Sequence, residues 1–117
     1  MYPLLGKRIN IIYEDEYYKP SMYLLDETIL QIEDGITGEK EVVEYHVDHI
    51  SDGVYMIYWF EPKGKFCVTQ IQNLNSKKVI SNAINLRTTE FYSMKGTIIY
   101  SEKHIKKATS SNTTSPS

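Results

Sequence analysis

Runs rich in Ile, Val, Tyr and Phe recur along this chain between clusters of Gly, Asn, Asp and Pro. That rhythm constrains the fold more than any other feature. β-branched and aromatic residues suit a pleated surface, the intervening residues suit turns, and the spacing suits strands joined by short connections. The chain therefore reads as all-β, with strands expected at 7–13, 21–25, 28–33, 40–47, 53–61, 65–73, 77–84 and 95–100. Eight antiparallel strands suggest a closed barrel. A sandwich is the alternative, but hairpin-length connections favour the up-and-down barrel, which needs fewer long crossovers.

A length of 117 residues fits one domain, large enough to bury a core without disulfides or a structural metal. The ten tyrosines are unusual in an otherwise ordinary globular composition, and tyrosine favours strands and pocket walls. The net charge is −2, and the basic residues are scattered apart from Lys103, Lys106 and Lys107, so no footprint for nucleic acid is present. A single cysteine, Cys67, leaves no internal disulfide, and MYPLLGKRIN lacks the long apolar core of a signal peptide, which makes the cytoplasm the expected location. No apolar stretch approaches the roughly 20 residues that span a bilayer, so no membrane partner is expected. Residues 1–101 read as the barrel domain. Beyond them, 102–117 reads as a polar, disordered tail, because Ser110 to Ser117 are all Ser, Asn, Thr or Pro.

The stretch IYWFEPKGK, residues 57–65, places a carboxylate, Glu61, at the end of an apolar and aromatic run. Residues of equal parity share a strand face. If Lys63 and Gly64 form a two-residue turn, with glycine supplying the positive φ, Glu61 lies opposite Phe66, Trp59 opposite Val68, Ile57 opposite Gln70 and Tyr55 opposite Gln72. One face of the hairpin then carries Tyr55, Ile57, Trp59, Glu61, Phe66, Val68, Gln70 and Gln72, an aromatic surface set with hydrogen-bonding groups, which is the composition of a pocket. The other face carries Val54, Met56, Tyr58, Phe60, Cys67, Thr69 and Ile71, and is too apolar for water unless something covers it. A homodimer through Val54, Met56, Tyr58 and Phe60 would cover it. The alternative exchanges the faces, making the second a packed core and the first a half-wet surface.

The segment Asp52-Gly53-Val54-Tyr55-Met56-Ile57-Tyr58-Trp59-Phe60-Glu61-Pro62-Lys63-Gly64 resembles the hallmark of two related lipocalin-like families, the bacterial phenolic acid decarboxylases and the MoaF-like proteins. Gly6-Lys7, Tyr13-Glu14 and Gly96-Thr97-Ile98 match as well, so the resemblance covers residues 6–100. It implies a calycin-type barrel. In the decarboxylases the matching glutamate points inward and acts in proton transfer beside tyrosines and an arginine, which implies catalytic roles for Glu61 and Tyr13 if this chain is an enzyme. Two matches fail. Ile11 stands where the first tyrosine of the pair belongs, and Gly38-Glu39-Lys40 stands where those enzymes carry Gly-Arg-Trp. Their extended C-terminal region also has no counterpart. A departing carboxylate is best oriented by a fork of cationic donors, which a lysine does not offer, so the MoaF-like proteins are the nearer resemblance.

His46-Val47-Asp48-His49 contains metal-ligating residue types, yet in an extended strand His46 and Asp48 share one face and His49 the other. No metal and no cofactor are expected. Cys67 falls on the hairpin face opposite Glu61 and reads as a buried small apolar side chain. The run Tyr13-Glu14-Asp15-Glu16-Tyr17-Tyr18 reads as a solvated turn in which Tyr13 alone faces inward. Nucleotide loops and serine-hydrolase elbows are absent from the sequence. The expected function is the binding of a small aromatic ligand in a cavity lined by Tyr13, Tyr55, Trp59, Glu61, Gln70 and Gln72. The alternatives are a decarboxylase-like lyase and a non-enzymatic, homodimeric interaction protein.

Overall fold

The computed structural model describes residues 2–14 and 18–100. They form eight strands: β1 (Arg8–Tyr13), β2 (Pro20–Leu24), β3 (Ile29–Asp34), β4 (Lys40–Ser51), β5 (Val54–Glu61), β6 (Phe66–Asn73), β7 (Lys78–Asn85) and β8 (Phe91–Tyr100). Each pairs antiparallel with the next, and β8 returns to β1 between Ile9↔Tyr100 and Tyr13↔Gly96, closing an up-and-down barrel. The expected tail lies outside the described residues. Two strands outrun the sequence pattern. β4 continues to Ser51 across a register shift near His49, where pairing with Val54 and Tyr55 holds a polar stretch that lacks strand propensity of its own. β8 begins at Phe91 because β7 supplies partners for Phe91, Tyr92 and Ser93.

Four of the connections between strands are built on one chemical device. Asp26, Asp34, Asn73 and Asn85 each turn a side-chain oxygen onto the backbone N–H groups two and three residues ahead, as in Asp34 Oδ1 to Ile36 (2.7 Å) and Thr37 (3.1 Å), and Asn85 Oδ1 to Arg87 (2.9 Å) and Thr88 (3.3 Å). This folds the chain back before the next strand begins. In three of these loops the residue four positions on is left-handed: Gly38 (φ 77°), Lys77 (φ 62°) and Thr89 (φ 62°). The β5–β6 loop has the same shape with Glu61 at its start, since Lys65 N–H donates to the Glu61 carbonyl at 2.7 Å and Lys65 is left-handed (φ 61°). The expected two-residue turn at Lys63-Gly64 is therefore not formed, and glycine does not supply the positive φ. Gly64 serves space instead, because a Cβ there would lie 3.2 Å from Glu61 Oε1 and 3.5 Å from the Phe66 ring.

Thr89 is the most costly of these turn residues, since a β-branched side chain resists the left-handed region. Thr89→Gly is expected to raise stability by about 0.5–1 kcal/mol, read as a higher urea midpoint with unchanged slope. An unchanged midpoint would mean that the strain is relieved elsewhere.

The barrel interior is filled by side chains. Ile9, Ile11, Met22, Leu24, Leu30, Ile57, Val79 and Ile98 are fully buried, and Tyr13, Tyr45 and Trp59 nearly so. One mouth carries the β2–β3, β4–β5 and β6–β7 loops together with residues 2–7, which turn inward so that Tyr2 and Leu4 join the core. Gly6 N–H ties this segment to the Leu24 carbonyl at 2.9 Å. The opposite mouth carries the β1–β2, β3–β4, β5–β6 and β7–β8 loops.

Candidate functional site

The β5–β6 register pairs Tyr55 with Gln72, Ile57 with Gln70, Trp59 with Val68 and Glu61 with Phe66, as parity requires. Tyr55, Ile57, Trp59, Gln70 and Gln72 are buried and Glu61 is half-buried, while Phe60 and Cys67 on the other face are exposed. The aromatic, amide-bearing face therefore points inward, and the exchanged arrangement does not occur. Cys67 is exposed rather than buried, a correction that follows from its place on the outer face of a closed barrel.

The six expected site residues divide between the two ends of the barrel. Toward the β5–β6 loop, the Trp59 indole N–H donates to Glu61 Oε2 at 2.8 Å, and the Tyr13 hydroxyl shares a 2.7 Å hydrogen bond with Ser81 Oγ. Tyr18 stacks on Tyr13 with ring centres 6.1 Å apart. Burial raises the Glu61 pKa above the ordinary carboxyl value; the Trp59 hydrogen bond opposes this and the charge of Glu41 adds to it. Burial also raises the Tyr18 hydroxyl, followed by the charges of Glu61, Tyr13 and Asp34. Tyr18, Glu41 and Asp34 thus share one electrostatic neighbourhood with Glu61, and Glu41 is itself held by the Lys63 N–H at 2.6 Å.

Toward the other mouth lie Tyr55, Gln70 and Gln72. The Tyr2 hydroxyl donates to Gln72 Oε1, and Gln72 Nε2 donates to Gln70 Oε1 at 3.0 Å. Buried amides are tolerated when partnered in this way. Beside this chain of polar groups opens a cavity of about 220 Å³, lined by Tyr2, Leu5, Glu27, Tyr45, Val47, His49 and Tyr55. The Tyr55 ring meets Tyr2 edge-on (5.3 Å, 79°) and stacks on His49 (4.6 Å, 14°). The Tyr45 hydroxyl donates to the Asp26 carbonyl at 2.7 Å, and its pKa is pushed up to about 12 by burial and then by the charges of Asp26 and Glu27.

Of the six expected residues only Tyr55 lines this cavity. Tyr45, Val47 and His49 belong to the same inward parity series on β4, paired with Trp59, Ile57 and Tyr55, so continuing the parity count into β4 would have found them. Tyr2 and Leu5 carry no strand signal, because their segment is a turn that enters the barrel rather than a part of the sheet.

His46 and Asp48 face outward, where His46 stacks on Tyr58 (5.3 Å, 22°) and Asp48 Oδ2 accepts the Tyr58 hydroxyl at 3.1 Å. His49 points to the cavity, so the three potential ligands are split between faces. Among the described residues no group of three or more His, Cys, Asp and Glu could hold a metal ion. Ile11, at the position of the decarboxylases' tyrosine, is core, and Lys40 is exposed at the start of β4. Among the described residues no helix is long and apolar enough to cross a membrane.

Comparison with known proteins places this geometry. The crystal structure of a Burkholderia vietnamiensis protein described as a candidate beta-lactamase superposes with a TM-score of 0.75 at 17% sequence identity, covering 86% of this chain and 97% of that one. At that identity the likeness shows the barrel fold alone. No protein of curated function matches the sequence. The family model described as MoaF-like matches residues 15–99, most of the barrel and the whole of the Trp59–Glu61 segment. The chain belongs to the MoaF-like family.

Proposed function

We propose that this barrel binds a compact aromatic molecule in the mouth cavity between Tyr2, Tyr45 and Tyr55. The observation that carries the reading is the cavity itself, a concave space walled by aromatic rings with Glu27 and His49 as polar groups. Its volume of about 220 Å³ lies below the ~300 Å³ at which sites for drug-sized ligands begin, which favours a single ring over a polycycle. Tyr55 and His49 offer a stacking surface, and Glu27 favours a ligand that is neutral or positively charged. In this reading the expected residues Trp59, Gln70 and Gln72 act from behind the cavity. Trp59 lies beside Tyr45 on the neighbouring strand, and the glutamines hold Tyr2 in place. A cytoplasmic setting belongs to the same proposal.

The test uses single-ring fragments found by thermal shift and measured by calorimetry against the parent chain, Val47→Trp and Glu61→Gln. Filling the cavity from Val47 is expected to weaken binding by about tenfold or more, roughly 1.4 kcal/mol, while Glu61→Gln leaves it unchanged. The reverse pattern would move the site to the Trp59–Glu61 end.

A second reading has its own support, the raised proton affinity of Glu61, which suits a general acid beside Tyr13 and Tyr18. Turnover of p-coumarate, followed by ultraviolet absorbance and lost in Glu61→Ala, would favour it; no turnover above that control would remove it.

A further inference from the structure

The outer face of the sheet carries a pattern that neither cavity nor carboxylate explains. Pairing registers align Phe60, Cys67, Ile84 and Phe91 in one row across β5 to β8, and Met56, Ile71 and Ile80 in another that ends at Lys95. Between them runs Tyr58, Thr69, Asn82 and Ser93. Phe60 (42%), Ile80 (42%), Ile84 (40%) and Phe91 (63%) are exposed. Single exposed apolar residues need no explanation, but a contiguous block without a charge from β5 to β7 does.

We propose that this face is the interface of a symmetric homodimer whose two-fold axis runs along β6. Shape is the first argument for a second copy as the occupant. A hollow of about 620 Å³ spans the outer side of β4 to β6, with Glu44, His46, Tyr58, Phe60 and Cys67 among its walls. On the far side of β6, Phe91 is the most exposed side chain of the block at 63%, with Ile84 beside it in the same row. A half-turn about β6 lays the β7–β8 side of one copy on the β4–β5 side of the other, so Ile84 and Phe91 enter the hollow in both directions. Hollow and knob lie on one surface, as an isologous contact requires.

Charge is the second argument, and it selects the axis. Glu44 and Asp48 flank the block on β4 and are exposed, while Lys95 flanks it on β8 and is exposed. The half-turn about β6 sets the acidic flank of one copy toward the basic flank of the other. A two-fold axis across the strands would instead bring Glu44 toward Asp48, which repulsion opposes, and would leave Lys95 without an acidic partner. Cys67, Thr69 and Ile71 then lie along the axis and meet their own copies. Met56, Tyr58 and Phe60 of the expected dimer face belong to this surface, Val54 lies in the next row with Asn73 and Lys78, and the centre moves from β5 to β6.

The experiment is sedimentation equilibrium on the full chain, with a short bis-maleimide applied to Cys67. The parent is expected to be a dimer that cross-links through Cys67. Ile84→Glu and Phe60→Glu should each give a folded monomer by circular dichroism, while Ile12→Glu, on the outer face of β1, leaves the dimer intact. Lys95→Asp should weaken association by about tenfold or more, and adding Asp48→Lys to it should restore association. These surface charges do not enter the core, so the exchange tests the axis without risk to folding. A monomeric parent, a dimer indifferent to Ile84→Glu, or a dimer that fails to cross-link through Cys67 would overturn the proposal.

Discussion

Trp59→Ala is expected to lower the stability of this barrel by about 3–5 kcal/mol, the usual cost of truncating a large buried aromatic side chain. Trp59 is 7% exposed and packs in the hydrophobic core, so its removal leaves a void between β4 and β6. It also removes the indole N–H that holds Glu61. The second loss has its own signature. Burial raises the Glu61 pKa and the Trp59 hydrogen bond opposes the rise, so without the indole the carboxyl takes up its proton at still higher pH. A carboxyl whose folded pKa exceeds its unfolded value binds protons more tightly in the native state. Its destabilising effect is therefore absent below the unfolded value and grows as pH rises through the folded one. Two further variants separate packing from charge. Trp59→Phe keeps most of the ring volume, costs about 1 kcal/mol for the lost hydrogen bond, and steepens the fall in stability above the ordinary carboxyl range. Glu61→Gln keeps an acceptor for the indole and removes the titration, so it should melt above the parent at pH 7 and lose that advantage on acidification. Identical melting of parent and Glu61→Gln across this range would contradict the raised pKa.

Gly96→Val should cost about 3 kcal/mol or more, by overpacking the seam that closes the barrel. Gly96 pairs with Tyr13 where β8 meets β1. A Cβ at this position would lie 2.7 Å from the Ile12 carbonyl oxygen and 3.1 Å from both Cα and Cδ1 of Tyr13. The first of these contacts is backbone, which cannot swing aside without opening the β1–β8 ladder. Tyr13 lies against the glycine, and its hydroxyl is committed to Ser81, so displacing the ring also strands a buried polar pair. Urea denaturation reads the effect, with Thr97→Ala at the neighbouring position as a control expected to change little. A Gly96→Val chain as stable as the parent would mean that the seam is looser than this contact describes.

These two residues mark what was legible in the sequence. That Tyr55, Ile57, Trp59 and Glu61 share one face followed from parity, because a hairpin with a short loop leaves little freedom of register, but parity left open which face turns inward. The loop was less legible. Glycine at 64 suggested its left-handed position, yet the chain places that conformation at Lys65 and uses Gly64 to clear Glu61 and Phe66. The apolar character of both hairpin faces was visible, but its cause was not, since closure of the barrel turns one face to the core and leaves Phe60 and Cys67 outside. The cavity was the least legible feature. Three of its seven lining residues are Tyr45, Val47 and His49, set in a strand whose polar residues disguise its inward face. Tyr2 and Leu5 reach it from a segment with no periodicity, so only the three-dimensional path of the N-terminal turn brings them there.

The proposed ligand site lies at the mouth that residues 2–7 enter, not at the Trp59–Glu61 end. Amide chemical-shift mapping with a single-ring aromatic fragment tests it most directly. The largest changes are expected at Leu5, Val47, His49 and Tyr55, which share the cavity wall. Changes centred on Tyr13, Trp59 and Glu61, or none at any fragment concentration, would contradict it.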